Sequence, residues 1–192
     1  MTRSEIVTRL RDDHKRFAVM ISSQSDEDFL RATGGKWNPG HQLDHIYRSV
    51  KPLRSALRLP AFVPRVLFGK PTHPSRSFEE VVARYHEKLA AGGKAIGSFV
   101  PKPVEINHRN SLLIKLTDTV EALAQKIEKM DEGKLDSIVL PHPLLGRITL
   151  REMLHFTIYH VGHHHKMTLK NLGKQSTADS QQSANASRMY AH

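Results

Sequence analysis

Apolar residues recur at spacings of three and four along most of this 192-residue chain, which is typical of amphipathic helices. The first such pattern predicts a helix from Ser4 to Ser22. The second begins at Asn38 and Pro39, an N-cap followed by proline at the first helical position, and Pro52 inside it is expected to bend the helix. The apolar positions of these two helices are Ile6, Leu10, Phe17 and Ile21, then Leu43, Ile46, Val50, Leu53 and Leu57.

Two further helices follow from start signals and periodicity. Ser77 and Glu80 form a capping box, which opens a helix that Gly92 and Gly93 close. The next pattern repeats for about five turns, which makes it the cleanest of the chain. The proline-rich stretch 60–74 is predicted to be a long connection, residues 25–28 a short turn, and no strand is predicted. The apolar residues of the five-turn pattern are Leu113, Leu116, Val120, Leu123, Ile127 and Met130.

The last predicted helix starts at a second capping box, formed by Thr149 and Glu152, and stops at Gly173. His160 and His164 are four residues apart, so they share one face of this helix. That face is apolar at both ends and carries imidazoles in the middle. Its members are Met153, Phe156, His160, His164 and Met167, beside an apolar stripe of Leu150, Leu154, Ile158, Val161 and Leu169.

Four long helices, with one long crossover between the second and the later pair, predict an all-α four-helix bundle. The helix that begins at Ser77 is then an addition to the crossover. The bundle domain is expected to span residues 1–173. The segment 174–192 is rich in serine, glutamine and alanine, has no periodicity and is expected to be disordered.

Composition narrows the function classes. Hydrophobic residues make up 39% and charged residues 25% of the chain, and there is no apolar run of about 18 residues, so a globular protein without a membrane span is expected. The N-terminus begins an amphipathic pattern rather than a secretory signal, which favours a cytoplasmic location. Cysteine is absent, which excludes disulfides, thiolate ligands and a cysteine nucleophile.

The net charge of +10 is partly concentrated in a basic segment, residues 45–78, which contains no acidic residue. We expect a solvated surface, with attraction of an acidic substrate or binding of a polyanion as alternatives. No motif for nucleic acid accompanies the charge, so nucleic acid is not an expected partner. The cations are Arg48, Lys51, Arg54, Arg58, Arg65, Lys70 and Arg76.

The histidine pair on the last helix predicts a metal site if another helix supplies a third nitrogen, since each imidazole can bind one ion at about 2.0–2.1 Å. His45 is the candidate, because it lies at the edge of the apolar stripe of the second helix. His163 could replace His164 by pairing with His160 at a spacing of three. The other histidines are expected to have packing, hydrogen-bonding or solvation roles: His14, His41, His73, His86, His108, His142, His155, His165 and His192.

Three segments resemble the DinB-like superfamily of four-helix bundles, which includes bacillithiol S-transferases and mycothiol-dependent isomerases. Residues 37–45 are similar to its second helix, which follows a tryptophan, and residues 156–165 to its last helix; residues 142–149 resemble the entry to that helix in one branch. The resemblance implies His45, His160 and His164 as metal ligands. Where many members have Arg-Gly-Gln after the second paired histidine, this chain has residues 165–167 as His-Lys-Met.

A three-histidine site with an open position predicts a metal-dependent transferase or hydrolase, which activates a small thiol or water against an electrophilic small molecule. Zinc is the default ion, with nickel, iron and manganese as alternatives. Asp44, Glu152 and Tyr159 are the nearest acid–base candidates, although the capping box already explains Glu152. Two other hypotheses stay open: a non-catalytic protein that binds metal or a small molecule, and a basic protein that binds nucleic acid. Expected partners are a small-molecule substrate, a low-molecular-weight thiol as candidate cosubstrate, and a second copy of the chain in a candidate homodimer.

Overall fold

A computed structural model describes residues 1–60 and 62–174 of the protein. Within these ranges the chain forms eight α-helices, two short strands and two single-turn 3-10 helices at residues 97–99 and 106–108. His192 and residues 175–192 of the tail lie outside the described residues, so the boundary at 173 stays a prediction. The elements are α1 (Arg3–Ser22), α2 (Asp26–Leu30), α3 (Pro39–Ala56), α4 (Phe62–Phe68), α5 (Phe78–Ala90), α6 (Arg109–Glu128), α7 (Lys134–Ser137), β1 (Val139–His142), β2 (Gly146–Thr149) and α8 (Leu150–Asn171).

Helices α1, α3, α6 and α8 form a four-helix bundle. Helices α6 and α8 each pack against both α1 and α3, and α5 packs on the outside of α8. The predicted apolar stripes meet in one continuous core, in which Leu10, Phe17, Leu43, Leu116, Leu123 and Leu154 are fully buried. The all-α bundle is therefore confirmed. In the described part of the chain, no helix combines the length and the apolarity that crossing a membrane requires.

The predicted helix starts are confirmed by their capping bonds. The Asn38 side chain accepts a hydrogen bond from the His41 amide, and the capping boxes at Ser77 and Thr149 are both complete. Helix α3 continues past Pro52 to Ala56, and the bend expected at this proline stays a prediction. Each cap satisfies amide donors of a first helical turn, so it fixes the residue at which the helix begins.

The prediction that the chain contains no strand is wrong. β1 and β2 form an antiparallel hairpin, in which Val139 pairs with Thr149 and His142 with Gly146. Each strand has only four residues, and Pro141 interrupts β1, so no alternation of apolar and polar positions was long enough to indicate them. The hairpin ends directly at the N-cap of α8 and therefore fixes how the chain enters that helix.

Two predicted connections also contain helices. Part of the long connection 60–74 forms α4, and the turn predicted at 25–28 is the start of α2, which the Ser25 side chain caps. Both helices have at most seven residues, which is too short for a helical period to be read from apolar positions.

Glu152 links the crossover to the start of α8. Its carboxylate is fully buried and accepts hydrogen bonds from the Thr149 amide at 2.8 Å and from the Arg76 amide at 3.1 Å. The Arg76 guanidinium adds an ion pair at 2.8 Å. A buried carboxylate must have such partners, because its desolvation is otherwise strongly unfavourable. One side chain thus holds two distant segments together.

We predict that Glu152→Ala lowers the free energy of unfolding by about 3 kcal/mol, because it leaves the Arg76 charge and two amides without their partner. The matched control is Glu80→Ala, which removes the corresponding glutamate of the α5 capping box at an exposed position and is expected to cost less than about 1 kcal/mol. Urea unfolding measures both. Equal losses would contradict the role of Glu152 as a buried link.

We also predict that His14 makes the fold sensitive to acid. Burial lowers the pKa of its imidazole from 6.5 to about 4, although the ring bonds the Leu10 carbonyl. Between pH 6.5 and pH 4, His14 therefore binds a proton in the unfolded chain but not in the folded chain. The free energy of unfolding thus decreases from its value at pH 7 as the pH falls from 6.5 towards 4. Relative to His14→Leu, the wild type should lose about 3 kcal/mol more between pH 7 and pH 4 in urea unfolding. The same pH dependence in both proteins would refute this.

Candidate metal centre

His45 projects from α3 into the interior of the bundle. The cap at Asn38 sets the start of α3, and Trp37, just before the cap, places its ring 4.9 Å from the imidazole of His45. The Nδ1 atom of His45 lies 2.7 Å from the carbonyl oxygen of Phe99. A carbonyl oxygen can only accept, so Nδ1 carries the proton and Nε2 keeps its lone pair.

His160 and His164 project from consecutive turns of α8 towards the same point. The Nε2 atom of His160 lies 3.2 Å from Nε2 of His45 and 3.0 Å from Nε2 of His164. All three side chains are buried, with 5% of each residue exposed. Within residues 1–60 and 62–174, this is the one group of three or more His, Asp or Glu side chains whose ligand atoms all lie within 4.8 Å of one another.

Hydrogen bonding also orients His164. Its Nδ1 atom donates to the side-chain carbonyl oxygen of Gln42, which lies on α3 one turn before His45. Like His45, it therefore presents an unprotonated Nε2 to the centre. A bond from the outer ring nitrogen to a fixed acceptor is the usual way in which proteins orient histidine ligands of a metal.

The geometry fits a small divalent ion. Three nitrogens at about 2.1 Å from a tetrahedral centre lie about 3.4 Å from one another. The separations of Nε2 of His160 from the other two Nε2 atoms, 3.0 and 3.2 Å, are close to this value, and all three ligand atoms lie within 4.8 Å of one another. Nitrogen lone pairs at such separations repel each other unless a cation or a shared proton lies between them. The donor set therefore suits a metal held by imidazole, with Zn²⁺ as one candidate.

Burial keeps the cluster neutral. It lowers the pKa of His160 and His164 well below the usual value of 6.5, and a charge on any neighbouring imidazole lowers both pKa values further. Burial also lowers the pKa of His45, against smaller opposing effects of the Phe99 hydrogen bond and of Asp44. Neutral imidazole is the form that binds metals, so the environment favours ligand chemistry over proton binding.

The three histidines form part of the wall of a cavity of about 570 Å³. Helices α3, α5 and α8 contribute to its sides, together with the β1–β2 hairpin and segments 35–37 and 94–99. This volume lies in the range of sites that hold small molecules. The arrangement can thus present an ion to a bound molecule rather than enclose it completely.

Sequence comparison identifies the family of the chain. The model of the DinB superfamily matches residues 9–167. The chain belongs to the DinB superfamily. Neither the curated proteins nor the solved structures contain a match to this chain. The match covers all of α3 and α6 and most of α1 and α8 of this DinB protein, and it includes the three histidines.

The other predicted site residues of the DinB protein lie outside the cluster. Asp44 accepts hydrogen bonds from the Arg48 guanidinium and from the Lys102 amide, and Glu152 is engaged as described. The hydroxyl of Tyr159 lies 2.6 Å from Nε2 of His86. None of these three acid–base candidates lines the cavity.

His163, the alternative ligand, lines the cavity but does not belong to the three-histidine group. Its ring faces Tyr85 and Tyr159, at centroid distances of 6.3 and 5.9 Å. The i,i+4 pair rather than the i,i+3 pair therefore meets His45.

The basic segment, residues 45–78, contributes uncharged side chains to the cavity wall. None of its seven cations lines the cavity. Its apolar and small side chains do so instead, while Arg48 pairs with Asp44 and Arg76 with Glu152. Residues of the segment in the cavity wall, besides His45, are Ser49, Pro52, Leu53, Ala56 and Phe68.

Two groups around the histidines were not assigned from the sequence. Gln42 shares the inner edge of α3 with His45, so helical spacing placed it nearby without indicating its bond to α8. The Phe99 carbonyl had no signal, because any residue has such an oxygen and the preceding loop has no periodicity. Only the tertiary structure brings it to His45.

Proposed function

We propose that this DinB protein is a metal-dependent transferase or hydrolase that activates a small thiol or water against an electrophilic small molecule. The observation that carries the proposal is the convergence of three Nε2 atoms, of His45, His160 and His164, in the wall of a cavity of about 570 Å³. Three protein ligands leave one position for an exogenous ligand, as in catalytic rather than structural zinc sites. We expect the reaction to take place in the cytoplasm.

The three histidines would hold the ion, with zinc as the leading candidate and nickel, iron and manganese as alternatives. When bound, the ion would lower the pKa of a water or thiol in the open position and so supply a nucleophile near neutral pH. Gln42 and the Phe99 carbonyl would keep His164 and His45 in the orientation that binds it. The remaining wall would position the electrophile and exclude water.

The absence of cysteine explains why the nucleophile would come from a cosubstrate or from water and not from the protein. The chain has no thiol of its own, so a thiol nucleophile would have to come from a cosubstrate. The nearby carboxylates of Asp44 and Glu152 are engaged with arginines outside the cavity wall, and neither is in place to act as a general base. The three-histidine site is therefore the group in the cavity best suited to activate a nucleophile.

We predict that one Zn²⁺ or Co²⁺ binds per chain and changes the fluorescence of Trp37. This is the single tryptophan of the chain, and its ring stacks within 6.1 Å of His164 at an interplanar angle of 17°. Alanine at His45, His160 or His164 should weaken binding more than about 100-fold, and Gln42→Leu about 10–100-fold. Fluorescence titration with a competing chelator measures the dissociation constants.

His163→Ala and His165→Ala are the controls for this titration, since they change neighbouring imidazoles of α8 that lie outside the cluster. Both should bind the metal as the wild type does. Metal should also raise the melting temperature of the wild type and of these controls, because binding to the native state alone stabilises it. Loss of metal binding in His163→Ala, with retention in His164→Ala, would show that His163 and not His164 is the third ligand.

For activity, we predict that the metal-loaded protein accelerates attack of a low-molecular-weight thiol, or of water, on an electrophile. A panel of cellular thiols with alkyl halides, epoxides and activated esters covers both reaction types. The rate should fall about 100-fold or more in His164→Ala and stay near the wild-type rate in His165→Ala, since only the first variant loses a ligand. Product formation followed by mass spectrometry measures it.

A metal-loaded, folded protein that is inactive across this panel would favour the alternative function, binding of metal or a small molecule without turnover. Binding of nucleic acid is tested separately by a salt titration, because phosphate contacts weaken steeply with ionic strength.

A further inference from the structure

The cavity beside the three histidines has an apolar wall. Aromatic and aliphatic side chains from four parts of the fold surround it, including Trp37, Phe99, Leu140, Leu144, Phe156 and Met167. A ligand that fills the cavity must therefore have a largely apolar body.

Both aliphatic hydroxyl side chains in the wall, and the Asn171 amide, are engaged within the protein. The hydroxyl of Ser49 donates to the His45 carbonyl at 2.9 Å, and that of Thr157 donates to Met153 at 2.8 Å. The Asn171 amide donates to the Trp37 carbonyl at 3.3 Å. These bonds engage the aliphatic hydroxyl donors and an amide donor of the wall, and of the neutral side chains they leave Gln42, Trp37, Tyr85 and the imidazoles to meet a polar ligand. A sugar or a nucleoside, with many hydroxyls, would therefore lose more hydrogen bonds to water than it regains.

Charge in the wall has one sign. Lys36 and Lys94 are exposed and line the cavity, whereas no aspartate or glutamate of residues 1–60 and 62–174 does. Neither lysine forms an ion pair within the described part of the chain. A divalent ion on three neutral imidazoles would add two uncompensated positive charges. The cavity therefore favours a negatively charged group and disfavours a cation.

We infer that the substrate is an amphipathic small anion, with an apolar body in the cavity and one acidic group held by Lys36 and Lys94 at its edge. This inference rests on the proposed function, because it names the class of molecule that the three-histidine site acts upon. A free alkyl carboxylate is the simplest molecule of this chemistry. The cavity volume accommodates a chain of about ten carbons with space for a second reactant.

The first test measures binding of hexanoate, octanoate and decanoate to the zinc-loaded full chain by calorimetry. Each buried methylene should tighten binding about fourfold, so decanoate should bind about 200-fold more tightly than hexanoate. Octanol and octyltrimethylammonium, which have the same chain length without the negative charge, should bind more weakly than octanoate. Affinity independent of chain length, or equal binding of the octyl cation, would overturn the inference.

Variants locate the binding. Ala56→Phe should weaken decanoate more than tenfold by filling the cavity, whereas Ala91→Phe, at an exposed position outside the wall, should not. Lys36→Ala and Lys94→Ala should each weaken octanoate about threefold and leave octanol unchanged, with Lys115→Ala on the surface of α6 as control. Circular dichroism checks that Ala56→Phe folds. An unchanged decanoate affinity in folded Ala56→Phe would place the ligand elsewhere and overturn the inference.

The same titrations in metal-free protein separate this inference from the proposed function. If zinc does not bind but the preference for longer anions persists, the metal role fails and the ligand class stands. If zinc binds to the three histidines and the carboxylates show no preference, the ligand class fails and the metal role stands.

Discussion

The centre of this protein depends on three imidazoles being buried together with their Nε2 atoms facing one another, and hydrogen bonds at Nδ1 leave the Nε2 atoms of His45 and His164 unprotonated. Burial disfavours the charged form of His160 and His164, and proximity to other imidazoles disfavours it further. Lone pairs that face one another repel, so the rings of His45 and His164 require neighbours that hold them in this orientation. Gln42 holds His164 and the Phe99 carbonyl holds His45, from two different segments. The geometry of the three histidines thus depends both on how the helices pack and on where the loop with Phe99 lies.

Hydrogen bonds outside the apolar core position the segments that carry the histidines and their partners. Asp44 is adjacent to His45 and accepts the Lys102 amide at 2.7 Å, so it holds the loop that delivers the Phe99 carbonyl. On α8, Glu152 and the hairpin fix the first turn two turns before His160. Apolar packing alone would tolerate small sliding of these helices, whereas buried hydrogen bonds have one geometry. The apolar core makes the bundle stable, and these links make the site precise.

The sequence predicted the bundle because its information is local: spacing of apolar residues, caps at Asn38 and Thr149, and a histidine pair four residues apart. It predicted the meeting of His45 with that pair because two helices of a bundle must share an interior. It missed the β1–β2 hairpin, where a proline and a length of four residues leave no period. It also missed the bonds from Gln42 and Phe99, since a long-range contact of a single polar group has no signature along the chain.

The cap at Thr149 has a consequence for how such a chain can change in length. Each residue of an α-helix turns its successor by about 100°. One residue inserted or deleted between Thr149 and His160 would rotate both histidines away from His45, while the cap and Glu152 would hold the start of the helix in place. In the described part of the connection around α4, no helix runs from a fixed cap to a metal-ligand candidate, so an added residue there would not rotate the histidines. Lengthening would therefore be tolerated far better in the crossover than in this eleven-residue interval, where the histidines depend on an exact count from the cap.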